Sequence, residues 1–151
     1  MSKKEEELAL LIRNAIENDP KDFIPVRDLF DLVKGMGRGS LFAREQNAYL
    51  IKLTADRLRQ DILTSTQMSQ YFELQGECLL FASHYDVDSY FQRLEWNRDL
   101  DKRFYLPRRP QLRPLIQAFQ DIIDDKLDVI TVSLPPESGK STAGTFFMTM
   151  L

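Results

Sequence analysis

The sequence has little of what disulfide-bonded, metal-binding or membrane-spanning chains depend on. Of 151 residues, one is a cysteine, Cys78, and one is a histidine, His84. A single cysteine excludes an internal disulfide framework and a multi-cysteine metal site, and it suits a reducing compartment. Long apolar runs are missing as well, since no stretch approaches the roughly 18 unbroken residues that cross a bilayer. The opening MSKKEEELALLIRN interleaves its apolar residues with charge, so it has no signal-peptide core. Internal repeats and low-complexity tracts are absent, and a net charge of −3 excludes a uniformly basic coat for nucleic acid. Cys78 and His84 share an aromatic-rich zone with Phe81, Tyr85, Tyr90, Phe91 and Trp96. A Cys–His pair is nucleophilic or metal-binding in principle. With no second ligand pair nearby, structural burial is the expectation for both.

What is present is ordinary globular material, 43% hydrophobic and 28% charged, which excludes a wholly disordered chain. The charge is uneven. Residues 1–97 carry a balance of −4, residues 98–113 a balance of +4, and residues 114–128 a balance of −3. The switch near residue 100 divides the chain into a helical region, 1–98, and a second region, 99–151.

Helical patterns dominate the first region. Leu8, Leu11, Ile12, Ala15 and Ile16 fall at i, i+3, i+4, i+7 and i+8, the apolar stripe of an amphipathic helix that ends at Asp19-Pro20. A second helix is expected from about Val26 to Lys34, followed by the loop GMGRGS at 35–40. A third pattern covers 41–63, with Phe42, Tyr49, Leu53 and Ile62 available for burial. A fourth covers 67–82, and Asp86 or Asp88 caps a fifth running to about Trp96. RFYLPRRPQLRP, with Pro107, Pro110 and Pro114, reads as an extended linker entering a helix marked by Leu112, Leu115, Ile116, Phe119, Ile122 and Ile123. LDVITVSL, 127–134, then reads as a buried parallel strand.

PPESGKST, residues 135–142, follows that strand. Gly139-Lys140-Ser141 is the core of a phosphate-binding loop. Strand, turn and helix start in this order would put unpaired amides and the positive end of a helix dipole around an anion. Pro136, Glu137, Ser138 and Gly139 would form the loop. Lys140 would reach the β- and γ-phosphates, the Ser141 hydroxyl would ligate Mg²⁺, and Thr142 would offer a further phosphate contact. The general pattern G-x-x-x-x-G-K-[ST] is departed from once, where Leu134 takes the place of the first glycine. The fold class expected is therefore a mostly α N-terminal region followed by the first β-strand/P-loop/helix unit of an incomplete α/β P-loop NTPase domain.

The stretch FYLPRRPQLRPLIQAFQDIIDDKLDVITVSLPPESGKST resembles the start of the ATPase domain in large terminase subunits of tailed bacteriophages. YLPRRPQL is similar to that family's PRR-x-QL element, and YDVDSYFQRLEWNR, 85–98, to its N-terminal region. The resemblance covers 85–151 and is weak before that. It implies ATP and Mg²⁺ as cofactors and a motor that drives double-stranded DNA into procapsids. The implied partners are DNA, the portal protein and the small terminase subunit, and the implied location is the host cytoplasm, at the procapsid portal. It also implies that Gln111 reads adenine, as an amide both donates and accepts, and that Tyr105 stacks on the base. Hydrolysis further needs an acid on a later strand and a nuclease needs its carboxylates, so the chain is expected to be an N-terminal portion lacking the rest of its own protein, and inactive alone. Two other readings stand beside this one: another P-loop ATPase of helicase-like type, and a non-enzymatic helical adaptor for DNA or packaging partners.

Overall fold

A computed structural model describes residues 3–129 and 139–151. The chain forms two compact units, Met1–Ala82 and Ser83–Leu151. In the first unit, α1 (Lys3–Asn18), α2 (Ile24–Met36), α3 (Leu41–Arg59) and α4 (Ser65–Ala82) each pack on the next helix along the chain. The second unit contains α5 (Val87–Leu94), a short 3₁₀ turn at Leu100–Lys102, α6 (Tyr105–Ile123) and α7 (Lys140–Met150).

Local chemistry sets several of these boundaries. Ser40 starts α3 by accepting from the Ala43 amide at 3.1 Å, and Asp86 starts α5 by accepting from the Ser89 amide at 3.1 Å. Thr64 and Gln67 form a reciprocal capping box ahead of α4, at 3.0 and 3.2 Å. Gly37, at φ 86°, ends α2 in a backbone conformation that disfavours a side chain.

The first core is built from Ile16, Val26, Leu29, Phe30, Val33, Leu50, Leu74, Cys78 and Leu79. α1 meets it on a narrower face than the stripe suggested. Ala9 and Ile16 are buried, whereas Leu8 is 48% and Leu11 66% exposed, because α1 packs chiefly against the single helix α2. In α3 the buried side is Ala43, Gln46, Asn47, Leu50, Thr54 and Arg57, so Phe42, Tyr49 and Leu53 are only half-buried and Ile62 lies past the helix end. Polar groups occupy that face because they find partners there: the Asn47 amide donates to the Cys78 carbonyl at 2.9 Å, and Thr54 donates to the Leu50 carbonyl at 2.8 Å. Cys78 is buried as expected, and burial pushes its thiol up, away from the reactive thiolate. His84 is instead exposed.

Two expectations are overturned in the second unit. The proline-rich stretch is helix, not linker: α6 starts at Tyr105 and runs through Pro110 and Pro114. Pro107 sits in the first turn, where its missing N–H has no intrahelical partner to lose. All three prolines lie on the exposed side, so carbonyls deprived of a donor face water, while Leu112, Leu115, Ile116 and Phe119 are buried opposite.

The α/β assignment is likewise corrected, since every element among the described residues is helical. Leu127–Val129 carry no strand, and Val129 is 80% exposed; Ile130–Leu134 lie outside the described residues. The chain leaves α6 through a Schellman turn, with Asp125 at φ 58°, the Asp125 amide donating to the Ile122 carbonyl at 3.1 Å and the Lys126 amide to the Asp121 carbonyl at 2.7 Å. An apolar run becomes a sheet strand only where a second strand supplies the ladder. None is present among the described residues.

Candidate functional site

The head of α7 is where the sequence motif meets the structure. Gly139 adopts φ 90° and ψ 15°, a left-handed conformation, and its carbonyl accepts from the Ala143 amide at 2.9 Å to open the helix at Lys140. Gly139 has no side chain with which to cap this end, and the first amides of an α-helix have no intrahelical acceptor. Ser141 and Thr142 are exposed in this first turn. Pro136, Glu137 and Ser138 lie outside the described residues.

α6 supplies the neighbouring wall. The edge of the Phe104 ring lies where a side chain at Gly139 would project, and the Arg108 Cδ is 3.3 Å from that point. Arg108 lies over the Phe104 ring, 4.8 Å from its centre, and donates to the Phe104 carbonyl at 2.9 Å. The first arginine of PRR is therefore brought beside the glycine of GKST. Phe104 is itself held edge-on by Phe146 of α7 at 5.7 Å, and Phe146 by Phe91 of α5 at 5.4 Å. The fixing group beneath is Glu95, fully buried, whose two carboxylate oxygens accept from the Phe104 amide and, at 2.8 Å, from the Tyr105 amide.

Gly139→Ala is expected to destabilise the second unit by about 2–4 kcal/mol, from left-handed strain plus overlap with a wedged ring. Chemical unfolding followed by circular dichroism measures it. Combined with Phe104→Ala, the loss should be less than additive, and full additivity would refute the contact.

A second polar group lies along α5 and α6. Asp88 accepts from the Tyr105 hydroxyl at 2.6 Å and from Arg109 at 2.9 and 2.7 Å. Burial pushes the Asp88 carboxyl up, but the bonds from Arg109 and Tyr105 outweigh it and hold it below its ordinary value. Burial, then the bond to Asp88, pushes the Tyr105 phenol up, and the bond to Asp88 raises Arg109 further. These groups border a cavity of about 330 Å³ with Asp86, Arg113 and Gln117.

Of the residues implied by the resemblance, Tyr105 is 1% exposed and edge-on to Phe91 at 5.1 Å, so both its ring and its hydroxyl are engaged in the core. Gln111 is exposed within α6 rather than at a loop-to-helix turn. Glu95, Asp88 and Phe104 carry no sequence signal of this role, because each acts through a partner distant in the chain. No group of three acidic, histidine or cysteine residues among the described residues could hold a metal ion, and no described helix is long and apolar enough to cross a membrane. No protein family, curated protein or solved structure matches this chain.

Proposed function

We propose that this chain is a helical binding module of a double-stranded-DNA packaging motor similar to the large terminase subunit, contacting packaging partners or DNA rather than turning over ATP by itself. The observation that carries this reading is that the described residues build two helical units without a strand. The packaging context rests on the resemblance of residues 85–151. Helical side-chain faces suit recognition of a partner, whereas ATP hydrolysis needs a second Mg²⁺ anchor and a group that positions water.

A second reading is favoured by a separate observation, the left-handed Gly139 and adjoining Arg108 at the head of α7. Here residues 139–142 grip nucleotide phosphate, with Lys140 and Ser141 in the roles their motif suggests and ATP–Mg²⁺ as ligand.

Titration with a fluorescent ATP analogue in Mg²⁺ separates the two. The adaptor reading expects no saturable binding and no difference between the chain and its Lys140→Ala variant. Saturable binding weakened at least about tenfold by Lys140→Ala, as suits loss of a charge-assisted phosphate contact, would replace the first reading with the second.

A further inference from the structure

We propose that the groove between the end of α2 and α4 in the first unit is a docking site for an acidic segment of a partner protein that also presents an apolar side chain. The groove encloses about 340 Å³. Phe30, Leu80 and Phe81 give it apolar walls, and Leu80 is 44% exposed within it. Lys34 and Arg38, both exposed, form its rim.

The two cations are arranged to receive carboxylates. Arg38 lies over the Phe81 ring, 5.1 Å from its centre, and its Nε donates to the Phe81 carbonyl at 2.9 Å. That carbonyl belongs to the last turn of α4, where a positive charge offsets the helix dipole. One of the five guanidinium donors is thus used in holding the group still, which leaves its terminal amino groups for a planar acceptor. Lys34 lies 5.2 Å from the Phe30 ring centre and 3.7 Å from exposed Asp31, a surface pair of little worth that an incoming acid can displace. Glu77, the one acid among the described lining residues, is paired with Arg27.

Charge also selects the class of occupant. Two rim cations, Lys34 and Arg38, are few for a phosphate backbone, whose binding rests on neutralising many phosphates. A short segment placing two carboxylates about one Leu or Phe needs only this pair and the apolar floor. The inference deepens the adaptor reading by naming the partner's chemistry. Its primary readout is peptide binding, with no nucleotide present, so its failure and that of the packaging reading are distinguishable.

The test uses the full chain and a fluorescein-labelled peptide of about twelve residues, with Leu and Phe at helical spacing among Asp and Glu, beside a twin with Lys at every acidic position. Fluorescence anisotropy should show saturable binding of the acidic peptide at about 10–100 µM, as suits a small contact, and much weaker binding of the twin. The double variant Lys34→Glu/Arg38→Glu, whose positions are exposed and whose folding circular dichroism checks, should lose at least about tenfold in affinity. Leu80→Ala should weaken binding independently of charge. Equal binding of the twin, full affinity in the double variant, or no binding by about 1 mM would overturn the proposal. So would displacement of the acidic peptide by an oligothymidylate. Self-association of the chain abolished by the same double variant would instead assign the groove to a second copy.

Discussion

Replacing Arg57 by alanine should cost the first unit about 3–4 kcal/mol, a large effect for one side chain of a small helical domain. Arg57 is 4% exposed and is held by acceptors rather than by a carboxylate. One terminal nitrogen donates to the Asp22 carbonyl at 3.2 Å and the Tyr71 hydroxyl at 2.6 Å; the other donates to the carbonyls of Ile16 at 2.6 Å and Asp19 at 3.1 Å. Ile16 lies in the last turn of α1, so the cation completes that helix end as well as the connection to α2. It therefore ties α1, the 19–22 connection, α3 and Tyr71 of α4 through one planar group. Alanine would leave these acceptors partly unpaired in a buried site and open a cavity beside Tyr71. The midpoint of thermal unfolding should fall by roughly 15 °C or more. Arg57→Lys should recover little, since an ammonium cannot span the same fork. A loss below about 1 kcal/mol by urea unfolding would show that water replaces the guanidinium without penalty, and would refute this role.

Arg57 also shows where sequence reasoning ends. Its position inside a helical pattern, with an arginine two residues later, suggests solvent, and only the tertiary fold brings the four acceptors to it. The signals that did read correctly are local ones. Asp86 caps α5 because its acceptor has only to reach Ser89, three residues on. The helices themselves were legible because their side-chain period and their Gly and Pro punctuation are written in consecutive residues. The prolines of α6 misled for the same reason. Their local preference is against helix, and it was overcome by an exposed placement, a buried opposite face and acceptors supplied by Glu95. At residues 127–129 the local pattern favoured a strand, but a strand requires a partner. In the candidate site, the helix start at Lys140 was foreseeable from GKST, whereas the left-handed Gly139 was not among the expectations. Nor was the approach of Phe104 and Arg108, since it depends on how α6 and α7 pack.

Glu95→Ala should destabilise the second unit by about 3–4 kcal/mol, with its first consequence at the start of α6. The residue at the formal cap of that helix is Phe104, which has no side-chain acceptor to offer. Glu95 supplies it from nine residues away, with both oxygens on the Phe104 and Tyr105 amides and Arg98 at 3.6 Å. A buried carboxylate is expensive alone, yet here two donors, a nearby cation and the positive end of the helix dipole all offset that cost. Alanine removes the acceptor and leaves two amides in a place where Glu95 itself had no exposure. Glu95→Gln should fall between the two, since its carbonyl oxygen serves one amide while its amino group confronts the other. Because Phe104 lies against Gly139, loosening α6 should also reach the head of α7. Hydrogen exchange would resolve the order of events. Protection should fall first at the Phe104 and Tyr105 amides, then through α7, while α1–α4 of the first unit keep theirs. Uniform loss across both units, or a change within 0.5 kcal/mol of zero, would show that the start of α6 is held by something other than this carboxylate.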